Sequence, residues 1–405
     1  MSTATSKARP ILPGATIGIF GGGQLGRMTA MAARAMGYRI QVLDPDPACP
    51  ARFVVDACIE AEWDDSREAA NLARGCDVVT LEIEQISPQS MAAAANFAPV
   101  RPSGAMLAVI QDRIEQKHWL RRNGFPLGEY RAVRSLDELR EAVAALGGKC
   151  FCKSSTGGYD GRGQGKVGFK PGADAEAEVR GAWEALGERA GVAEKAIDLE
   201  REISVLVARA PNGEVKVYPA AWNHHEEQIL AWSVMPAPLS SAMEAEARGI
   251  AEAIADTFQL EGILAVEMFC TTEGKLLVNE LAPRPHNSYH ASERACVTGQ
   301  FEQLVRAVCD LPLGDVDVVQ PAAIANLLGD LWLKDGQAIE PRFDAALAVP
   351  GVRLHLYEKH KPRRGRKMGH LSAVGKTADE AVKLVLRAKS LLEAGVPVDQ
   401  VGSEA

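Results

Sequence analysis

The sequence lacks the features that mark membrane, secreted and zinc-binding proteins. None of its apolar runs reaches the roughly 20 residues that a helix needs to cross a bilayer. The N-terminal stretch has no apolar core followed by a small-residue cleavage site, so we expect no secretory signal. The eight cysteines are scattered and form no Cys-x-x-Cys motif. These absences predict a cytoplasmic protein in a reducing compartment, without a membrane partner.

The sequence also has fewer basic than acidic residues. The 405 residues include 45 Lys and Arg against 53 Asp and Glu, a formal net charge of −8. This balance argues against a nucleic-acid partner bound through overall charge, because nucleic acids attract positive surfaces. A hydrophobic content of 47% with 24% charged residues excludes disordered and fibrous proteins. The length suits two or three domains.

Strands and helices alternate in the first third of the chain. This alternation predicts a parallel sheet covered by helices on both faces. The predicted elements are strands at Thr16–Phe20, Arg39–Leu43 and Asp77–Leu81, and a helix at Met28–Met36.

The rest of the chain mixes helices with antiparallel strand pairs, so the fold class we predict is a multidomain α/β and α+β protein. A strand at Lys149–Lys153 would place Cys150 and Cys152 on one face, which we interpret as buried thiols. Asn212-Gly213 is typical of a hairpin turn. The other predicted strands are Glu200–Arg209 with Glu214–Ala221, Gly262–Cys270 with Lys275–Leu281, Ala322–Leu327 and Arg353–Glu358. The predicted helices are Gln111–Asn123, Asp174–Gly191, Ser240–Phe258 and Ala378–Glu393.

A glycine-rich turn follows the first predicted strand. Gly21, Gly23 and Gly26 form a Gly-x-Gly-x-x-Gly motif, and Asp44 ends the next strand. Glycine amides at a helix N-terminus can bind a phosphate. Three interpretations stay open: a dinucleotide site of a nicotinamide or flavin enzyme, a site for another phosphate-bearing substrate, and a tight turn that needs glycine only for packing.

A second glycine-rich segment follows Lys153. The loop over Gly157–Gly168 could close on a triphosphate while the lysine supplies a point charge. Its residue order is not that of a Walker motif. A passive surface hairpin is the alternative, but Tyr159, Asp160 and Arg162 favour a functional loop because a passive one does not need them.

Two acids lie within apolar strands that are expected to pair. Glu267 and Glu280 would be costly there without partners. Mg²⁺ prefers carboxylate oxygens and shares its remaining positions with phosphate, so we predict a magnesium site. Two buried salt bridges to Lys or Arg are the alternative.

A basic segment, residues 359–370, stands out in this acidic chain. It contains six Lys and Arg residues in the order KHKPRRGRKMGH. We interpret it as an anion clamp for a phosphate. A solvated loop or a nucleic-acid contact is the alternative, and the lack of aromatic residues in the segment weakens the case for single-strand binding.

Eight strings occur in a fixed order along nearly the whole chain: GIFGGGQLGRM, LDPDPACPA, VVTLEIE, QDRIEQK, GGYDGRGQGKV, VNELAPRPHNS, ACVTGQFEQ and GRKMGH. Together they resemble the N5-carboxyaminoimidazole ribonucleotide synthetase family of the ATP-grasp superfamily. The resemblance implies an ATP-grasp fold with an N-terminal Rossmann-like (pre-ATP-grasp) parallel sheet and a small C-terminal β-rich domain. It implies domains over 1–110, 111–310 and 311–405, with a mobile lid over 125–205.

The resemblance also implies a reaction. ATP and bicarbonate would carboxylate 5-aminoimidazole ribonucleotide through carboxyphosphate, giving N5-carboxyaminoimidazole ribonucleotide, ADP and phosphate in purine biosynthesis. The implied enzyme is an ADP-forming ligase that uses ATP and Mg²⁺, without biotin, and forms a homodimer.

Residue roles follow from the matching motifs. The resemblance assigns ATP binding to Arg113, Lys153, Gly158, Tyr159, Asp160, Gly161, Arg162, Gly163, Gln164, Glu194, Lys195, Ala196, Ile197, Glu202, His225, Asn279 and Glu280. It assigns Mg²⁺ to Glu267 and Glu280, and carboxylation chemistry to Tyr159, Asp160, Arg162 and Arg284. The ribonucleotide is assigned to Gly23, Gln24, Leu25, Glu84, His286, Asn287, Lys359 and Arg366.

The chain departs from the usual family residues at Ile83, Gln85, Tyr289 and Ala291-Ser292. An arginine often seen near Lys153 is also missing. We expect these changes to affect substrate affinity rather than reaction class. Two rival functions stay open. One is another ATP-grasp ligase or a biotin-type carboxylase, although no Met-Lys-Met biotin acceptor occurs; the other is an oxidoreductase that binds NAD(P)H at the first glycine turn.

Overall fold

The first strand lies at the centre of a four-stranded parallel sheet. In this computed structural model, which describes residues 9–157, 163–172, 174–334, 337–393 and 396–397, the strand order of the sheet is β3-β2-β1-β4. Its elements are β1 (Thr16–Phe20), α1 (Gln24–Ala35), β2 (Arg39–Asp44), β3 (Ala57–Glu60), α2 (Ser66–Arg74), β4 (Val78–Leu81) and α3 (Pro88–Ala95). The predicted parallel sheet is confirmed.

The helix predicted over Gln111–Asn123 is confirmed, and a separate helix directly precedes it. In chain order they are α4 (Gly104–Gln111) and α5 (Arg113–Arg122). Asp112 separates them because its backbone is extended, with φ −107° and ψ 112°, and its carboxylate accepts hydrogen bonds from the amides of Ile114 and Glu115. This is the geometry of a helix N-cap, which starts a new helix rather than continuing the old one.

A small antiparallel sheet with its own apolar core follows. Its strand order is β5-β8-β6-β7. Cys150 and Cys152 are both fully buried on one face, as predicted. The helix predicted over Asp174–Gly191 ends early because Gly187 and Glu188 take positive φ and Gly191 starts a strand. The elements are β5 (Tyr130–Val133), α6 (Leu136–Ala145), β6 (Cys150–Ser154), β7 (Gln164–Val167), α7 (Ala175–Ala185) and β8 (Gly191–Lys195).

A nine-stranded sheet forms the centre of the described molecule. Its order is β14-β13-β9-β11-β12-β15-β19-β18, with β10 paired to β9. Its strands and helices are β9 (Leu199–Arg209), β10 (Val215–Val217), β11 (Ala221–Glu226), β12 (Ile229–Met235), α8 (Ser241–Phe258), β13 (Gly262–Thr271), β14 (Leu276–Ala282), α9 (Ser292–Ala295), α10 (Gln300–Val308), β15 (Ala322–Leu328), β18 (Val352–Leu356), β19 (Lys367–Val374) and α12 (Ala378–Leu392). The C-terminal strands therefore extend this sheet through the pairing of β12 with β15.

The predicted hairpin at Asn212-Gly213 is confirmed, since Val215 pairs with Arg209. The strand predicted over Glu214–Ala221 is shorter than expected, because β10 ends at Val217 and the next strand, β11, begins at Ala221. Pro219, which has no N–H to donate to a ladder, lies between them. A three-stranded sheet completes the C-terminal part, formed by β16 (Leu333–Lys334), β17 (Gln337–Glu340) and β20 (Val396–Pro397), with α11 (Phe343–Leu347) nearby in the chain.

One apolar core joins the N-terminal sheet to the nine-stranded sheet. Ile17 and Val42 belong to the same apolar cluster as Leu206, Ile263 and Leu304, and each of the five is at most 1% exposed. This shared core fixes the glycine turn after β1 relative to β13 and β14. No helix in the described ranges is long and apolar enough to cross a membrane.

Gly26→Ala is expected to destabilise the fold by about 1–3 kcal/mol, the usual cost of overpacking. A methyl group at this position would lie 2.3 Å from the carbonyl oxygen of Gly21, which is backbone and cannot rotate away. Gly249→Ala is the matched control, since it also lies inside a helix but its methyl would meet no described atom within 4 Å. That variant should gain about 0.5–1 kcal/mol. Urea unfolding of both variants measures the difference, and equal stability would contradict the close approach.

Candidate active site

A cleft with an empty volume of about 1060 Å³ lies between the small sheet and the nine-stranded sheet. We call it the central cleft. Polar residues dominate its floor, and apolar side chains from both sheets form its walls. Its lining consists of Lys117, Gly128, Glu129, Phe151, Lys153, Gln164, Glu194, Lys195, Ile197, Leu199, Glu202, His225, Gln228, Glu267, Phe269, Val278, Asn279 and Glu280.

Glu194 is held between two lysines on one side of the cleft. Lys117 Nζ lies 3.1 Å from Oε1 of Glu194, and Lys153 Nζ lies 2.7 Å from Oε2. Burial alone would raise the pKa of Glu194, but Lys117, Lys153 and Arg113 outweigh it and hold that pKa well below its usual range. The carboxylate is therefore ionised at neutral pH.

The two predicted metal-binding acids face each other across β13 and β14. Glu267 pairs in register with Glu280. In this structure each has a basic residue beside it: His286 Nε2 lies 3.0 Å from Oε1 of Glu267, and Arg113 donates a 3.0 Å hydrogen bond to Oε2 of Glu280. Burial opposes ionisation of Glu267, but His286, His225 and Lys153 lower its pKa to about 2.

These two acids fit a magnesium ion that also binds phosphate. One oxygen of each carboxylate receives no hydrogen bond from a described residue, so each retains a lone-pair donor. Within the described ranges, no group of three His, Cys, Asp or Glu residues could hold a metal by itself. Mg²⁺ commonly takes only one or two carboxylates and fills its other positions with water and phosphate oxygens. The pair is therefore suited to a nucleotide-bound metal rather than to a permanent one.

His225 and Glu202 form a half-buried pair in the lining of the cleft. His225 Nδ1 lies 3.0 Å from Oε2 of Glu202. Burial lowers the pKa of His225, but Glu202 and Glu267 outweigh it, so the net pKa is raised. Lys153 also donates a 3.3 Å hydrogen bond to the Asn279 amide oxygen. The predicted residues from four separate chain segments thus converge on one cavity.

The first glycine turn is already occupied by the protein's own acceptors. Gly22 donates to Asp44 over 2.7 Å, and Gly23 and Gly26 donate to the Glu82 carboxylate over 2.8 and 3.2 Å. The Gly21 amide donates to the Leu43 carbonyl. A dinucleotide pyrophosphate would have to displace two buried carboxylates, so this geometry disfavours the oxidoreductase interpretation.

A second polar region, beside this turn, connects residues far apart in the chain. Lys359 Nζ donates to Gln24 Oε1 over 2.6 Å and to the Lys367 carbonyl over 2.8 Å. Gln24 in turn donates to Asn287 Oδ1 over 2.8 Å. The structure thereby brings the basic segment 359–370 onto the N-terminus of α1. Arg366 donates to the Lys361 carbonyl within the same segment.

Arg284 links the central sheet to the N-terminal part. Its Nε lies 3.0 Å from Oε1 of Glu84, and its second guanidinium nitrogen donates to Oε2 over 3.1 Å. Glu84 lines a second cavity, which also contains Arg113, Ser155 and Glu280. Because Glu280 lines both cavities, the two spaces adjoin at this residue.

Family models match three consecutive stretches of the chain. They are the ribonucleotide synthetase preATP-grasp domain over residues 14–111, the ATP-grasp domain over 118–301, and the phosphoribosylaminoimidazole carboxylase C-terminal domain over 322–383. The N5-carboxyaminoimidazole ribonucleotide synthase of Bacillus subtilis is 38% identical over 373 residues, which cover 92% of this chain and 95% of the relative.

The chain belongs to the N5-carboxyaminoimidazole ribonucleotide synthase family.

Solved structures agree with this placement among the N5-carboxyaminoimidazole ribonucleotide synthases. A synthetase of this name in its ADP complex matches with a TM-score of 0.86 at 39% identity, covering 95% of this chain and 98% of its own. The N5-carboxyaminoimidazole synthase of Aspergillus clavatus, in complex with ADP and 5-aminoimidazole ribonucleotide, matches with a TM-score of 0.83 at 29% identity. It covers 94% of this chain and 98% of its own. The predicted family and ATP-grasp fold class are confirmed.

Most residues that the family resemblance assigns to ATP lie in the central cleft, but several lie elsewhere. Arg113 does not line the cleft itself but donates a hydrogen bond to Glu280, which does. Ala196 and Gly163 contribute backbone contacts to the small sheet, since the Ala196 amide donates to Lys149 and the Gly163 carbonyl accepts from Ser154. The residues Gly158, Tyr159, Asp160, Gly161 and Arg162 fall outside the described part of the chain.

Among the residues that the family resemblance assigns to the ribonucleotide, Leu25 is the one whose side chain is apolar and buried. It is 5% exposed and packs with Met28, Phe301 and Tyr357. Tyr289, one of the departures, is also buried, and its hydroxyl donates to the carbonyls of Ser204 and Pro219. Tyr289 therefore contacts the core beneath the sheet.

Sequence reasoning missed Lys117 and Glu82. Lys117 lies four residues after Arg113 on α5, the spacing that puts two side chains on one face of a helix, and this signal could have found it. Glu82 was noted only as part of the string VVTLEIE. Its contact with the glycine turn spans 56 to 59 residues, and no local pattern reports it. Sequence reasoning also did not identify Phe151, Phe269 and Val278 as apolar residues that line the cleft.

Proposed function

We propose that this chain carboxylates 5-aminoimidazole ribonucleotide to N5-carboxyaminoimidazole ribonucleotide, consuming ATP and bicarbonate and releasing ADP and phosphate. The observation that carries the proposal is the central cleft, whose lining combines Lys117 and Lys153 with the facing pair of Glu267 and Glu280. Family membership supports it. The test is ADP release by the purified protein: omission of either bicarbonate or the ribonucleotide should remove most of the signal.

ATP would fill the central cleft. Its apolar walls suit adenine, with Glu194, Lys195, Ala196 and Ile197 beside the base. Glu202 would accept hydrogen bonds from the ribose. Lys153, His225 and Asn279 would face the phosphates. When bound by Glu267 and Glu280, Mg²⁺ would neutralise phosphate charge.

The chemistry would proceed through carboxyphosphate. A bicarbonate oxygen attacks the γ-phosphorus, ADP leaves, and the cations of the cleft stabilise the developing charge. Carboxyphosphate then breaks into CO₂ and phosphate, and the exocyclic amine of the ribonucleotide attacks CO₂. The released phosphate is our candidate proton acceptor. Tyr159, Asp160 and Arg162 remain our candidates for orienting the reactants.

Water must be kept from carboxyphosphate, and we propose that the small sheet provides the lid. Its own apolar core, which includes Val133, Leu139 and Cys152, allows it to move as a unit. The lid would span 125–205 within an ATP-grasp domain at 111–310, between domains at 1–110 and 311–405. On family resemblance we further propose a cytoplasmic homodimer, which light scattering after size-exclusion chromatography would test.

Lys117→Met is expected to raise the KM for ATP at least about tenfold, because a charged hydrogen bond contributes about 1.5–3 kcal/mol. Lys117 is 4% exposed and donates to the Asn279 carbonyl as well as pairing with Glu194. Methionine preserves the volume. Arg121→Met, one helical turn later and exposed, is the control and should leave KM unchanged. Steady-state ADP release measures both, and an unaltered KM in Lys117→Met would remove this lysine from the ATP site.

Lys359→Ala is expected to raise the KM for the ribonucleotide more than about tenfold and to leave the KM for ATP nearly unchanged, because we assign Lys359 to the 5′-phosphate. Arg366→Ala should have the same effects on the two KM values. Arg364→Ala is the control within the same basic segment, since its side chain is 84% exposed. Equal weakening of ATP and ribonucleotide would show that the segment serves another ligand.

A further inference from the structure

Two cysteines lie side by side next to the glycine turn. The sulfur atoms of Cys49 and Cys58 are 3.8 Å apart. Cys49 is buried and directly precedes the short 3₁₀-helix at Pro50–Val54, whereas Cys58 is half-buried on β3. Because Cys58 is only partly covered, a small molecule can reach it from solvent.

The two thiols differ in reactivity. The hydrogen bond with Cys49 lowers the pKa of Cys58 to about 7; burial opposes this shift, and Arg52 adds to it. The same hydrogen bond and burial raise the pKa of Cys49. A thiolate is the attacking species in sulfur chemistry, so Cys58 is the nucleophile of the pair. The Cys49 sulfur, 3.8 Å away, is placed to attack the oxidised form of Cys58. In contrast, burial raises the pKa of Cys76 to about 12.

We propose that Cys49 and Cys58 are a peroxide-oxidisable dithiol whose disulfide form weakens ribonucleotide binding. The Cys58 thiolate attacks one oxygen of hydrogen peroxide, and the O–O bond breaks to give a sulfenic acid and hydroxide, which is protonated to water. The Cys49 sulfur then attacks the Cys58 sulfur, loses its proton and displaces the hydroxyl group as a second water. Two thiols are oxidised and one peroxide is reduced to two waters.

The pair is mechanically connected to the glycine turn. Cys49 Sγ packs so closely against Gly22 that a methyl group on Gly22 would lie 2.4 Å from it. Two residues later, the Ala51 amide donates a 2.7 Å hydrogen bond to the Gly22 carbonyl. Arg27, on the helix that follows the turn, donates to the Pro50 carbonyl over 3.2 Å.

The same segment also contacts the basic segment. The ring of Phe53 lies edge-on to His360, with centroids 6.5 Å apart. A disulfide requires a sulfur separation of about 2.05 Å, well below the present 3.8 Å. Closing this gap requires one or both cysteines to move, and we expect the movement to change the contact of Cys49 with Gly22 and to shift the segment that lies between the turn and the basic segment. The predicted loss of affinity rests on the proposed function, which places the ribonucleotide there.

The experiment uses the full-length protein, treated with hydrogen peroxide or with dithiothreitol. Trypsin cuts after Arg39, Arg52 and Arg67, so the two cysteines fall in separate peptides, Ile40–Arg52 and Phe53–Arg67. Mass spectrometry should find these peptides joined, with the loss of two hydrogen atoms, only after peroxide. In the same samples the KM for the ribonucleotide should rise about tenfold, as expected for a misplaced contact, while the KM for ATP stays within about twofold. Dithiothreitol should reverse both changes.

Matched variants decide between this site and general oxidation. Cys58→Ser should lose both the joined peptides and the KM response, whereas Cys76→Ser, which removes a half-buried cysteine outside the pair, should keep both. Absence of the joined peptides, or an equal KM response in Cys58→Ser, would overturn the proposal. If the reduced protein shows no ribonucleotide-dependent ADP release, the proposed function fails and the effect on affinity fails with it. The joined peptides then decide the dithiol assignment by themselves.

Discussion

Glu267→Gln and Glu280→Gln are each expected to slow ADP release by roughly 10²–10³-fold at a fixed magnesium concentration. The two carboxylates lie opposite each other on β13 and β14, and each retains one oxygen that no described residue engages. Glutamine preserves the shape of each side chain but removes the negative charge that attracts the metal. Titration of Mg²⁺ in the assay should therefore show a higher magnesium requirement in both variants.

The rival interpretation is that these acids only balance His286 and Arg113. In that case the variants would lose thermal stability, and the surviving folded protein would keep its ordinary magnesium requirement. The melting temperature of each sample is measured alongside its activity. Glu273→Gln, at the turn of the same hairpin and 71% exposed, is the control and should change neither quantity. A normal magnesium titration in both site variants would favour salt bridges over the metal.

The arrangement of Glu267 and Glu280 could be predicted from the sequence only in part. The turn at Glu273-Gly274 predicts that β13 and β14 pair, but it does not give the register near the site. Counting back from the pair Met268 and Val278 would place Glu267 opposite Asn279. A β-bulge between Glu267 and Met268 shifts the register by one and brings Glu280 opposite instead. Bulges have no reliable local signal, so the sequence predicted the strand pair but not the facing carboxylates.

Other contacts could not be predicted from the sequence because they join residues that are far apart in the chain. Local patterns predict β1, its glycine turn and α1 because strand period, glycine spacing and helical period all lie within a short window. The contact of Lys359 with Gln24 spans 335 residues and depends on how the C-terminal strands extend the central sheet. Family resemblance predicted that both residues serve the ribonucleotide, and the structure adds that they are bonded to each other. It also shows that Glu82 and Asp44 occupy the turn that resembles a dinucleotide site.

Arg284→Ala is expected to lower turnover about 10²-fold at saturating ATP and ribonucleotide and to raise the KM for bicarbonate. The guanidinium binds both oxygens of Glu84, a bidentate geometry that would equally suit bicarbonate or the carboxyl group of carboxyphosphate. Arg284 is therefore in a position to exchange one carboxylate-like partner for another when the substrate enters. ATP binding should change little, because Arg284 does not line the central cleft.

Two further variants separate contact with substrate from loss of the Glu84 pair. If Arg284 only fastens the N-terminal part to the sheet, Glu84→Gln should impair turnover as much as Arg284→Ala does. If it binds bicarbonate, Arg284→Ala should be the more severe, and its defect should ease as bicarbonate is raised. Arg209→Ala removes an arginine that is bonded to Asp256, Gln259 and the Leu260 carbonyl and lines neither cavity, and this variant serves as the control. Unaltered bicarbonate-dependent turnover in Arg284→Ala would refute the role, whereas a KM effect confined to bicarbonate would place this guanidinium at the carboxylation step.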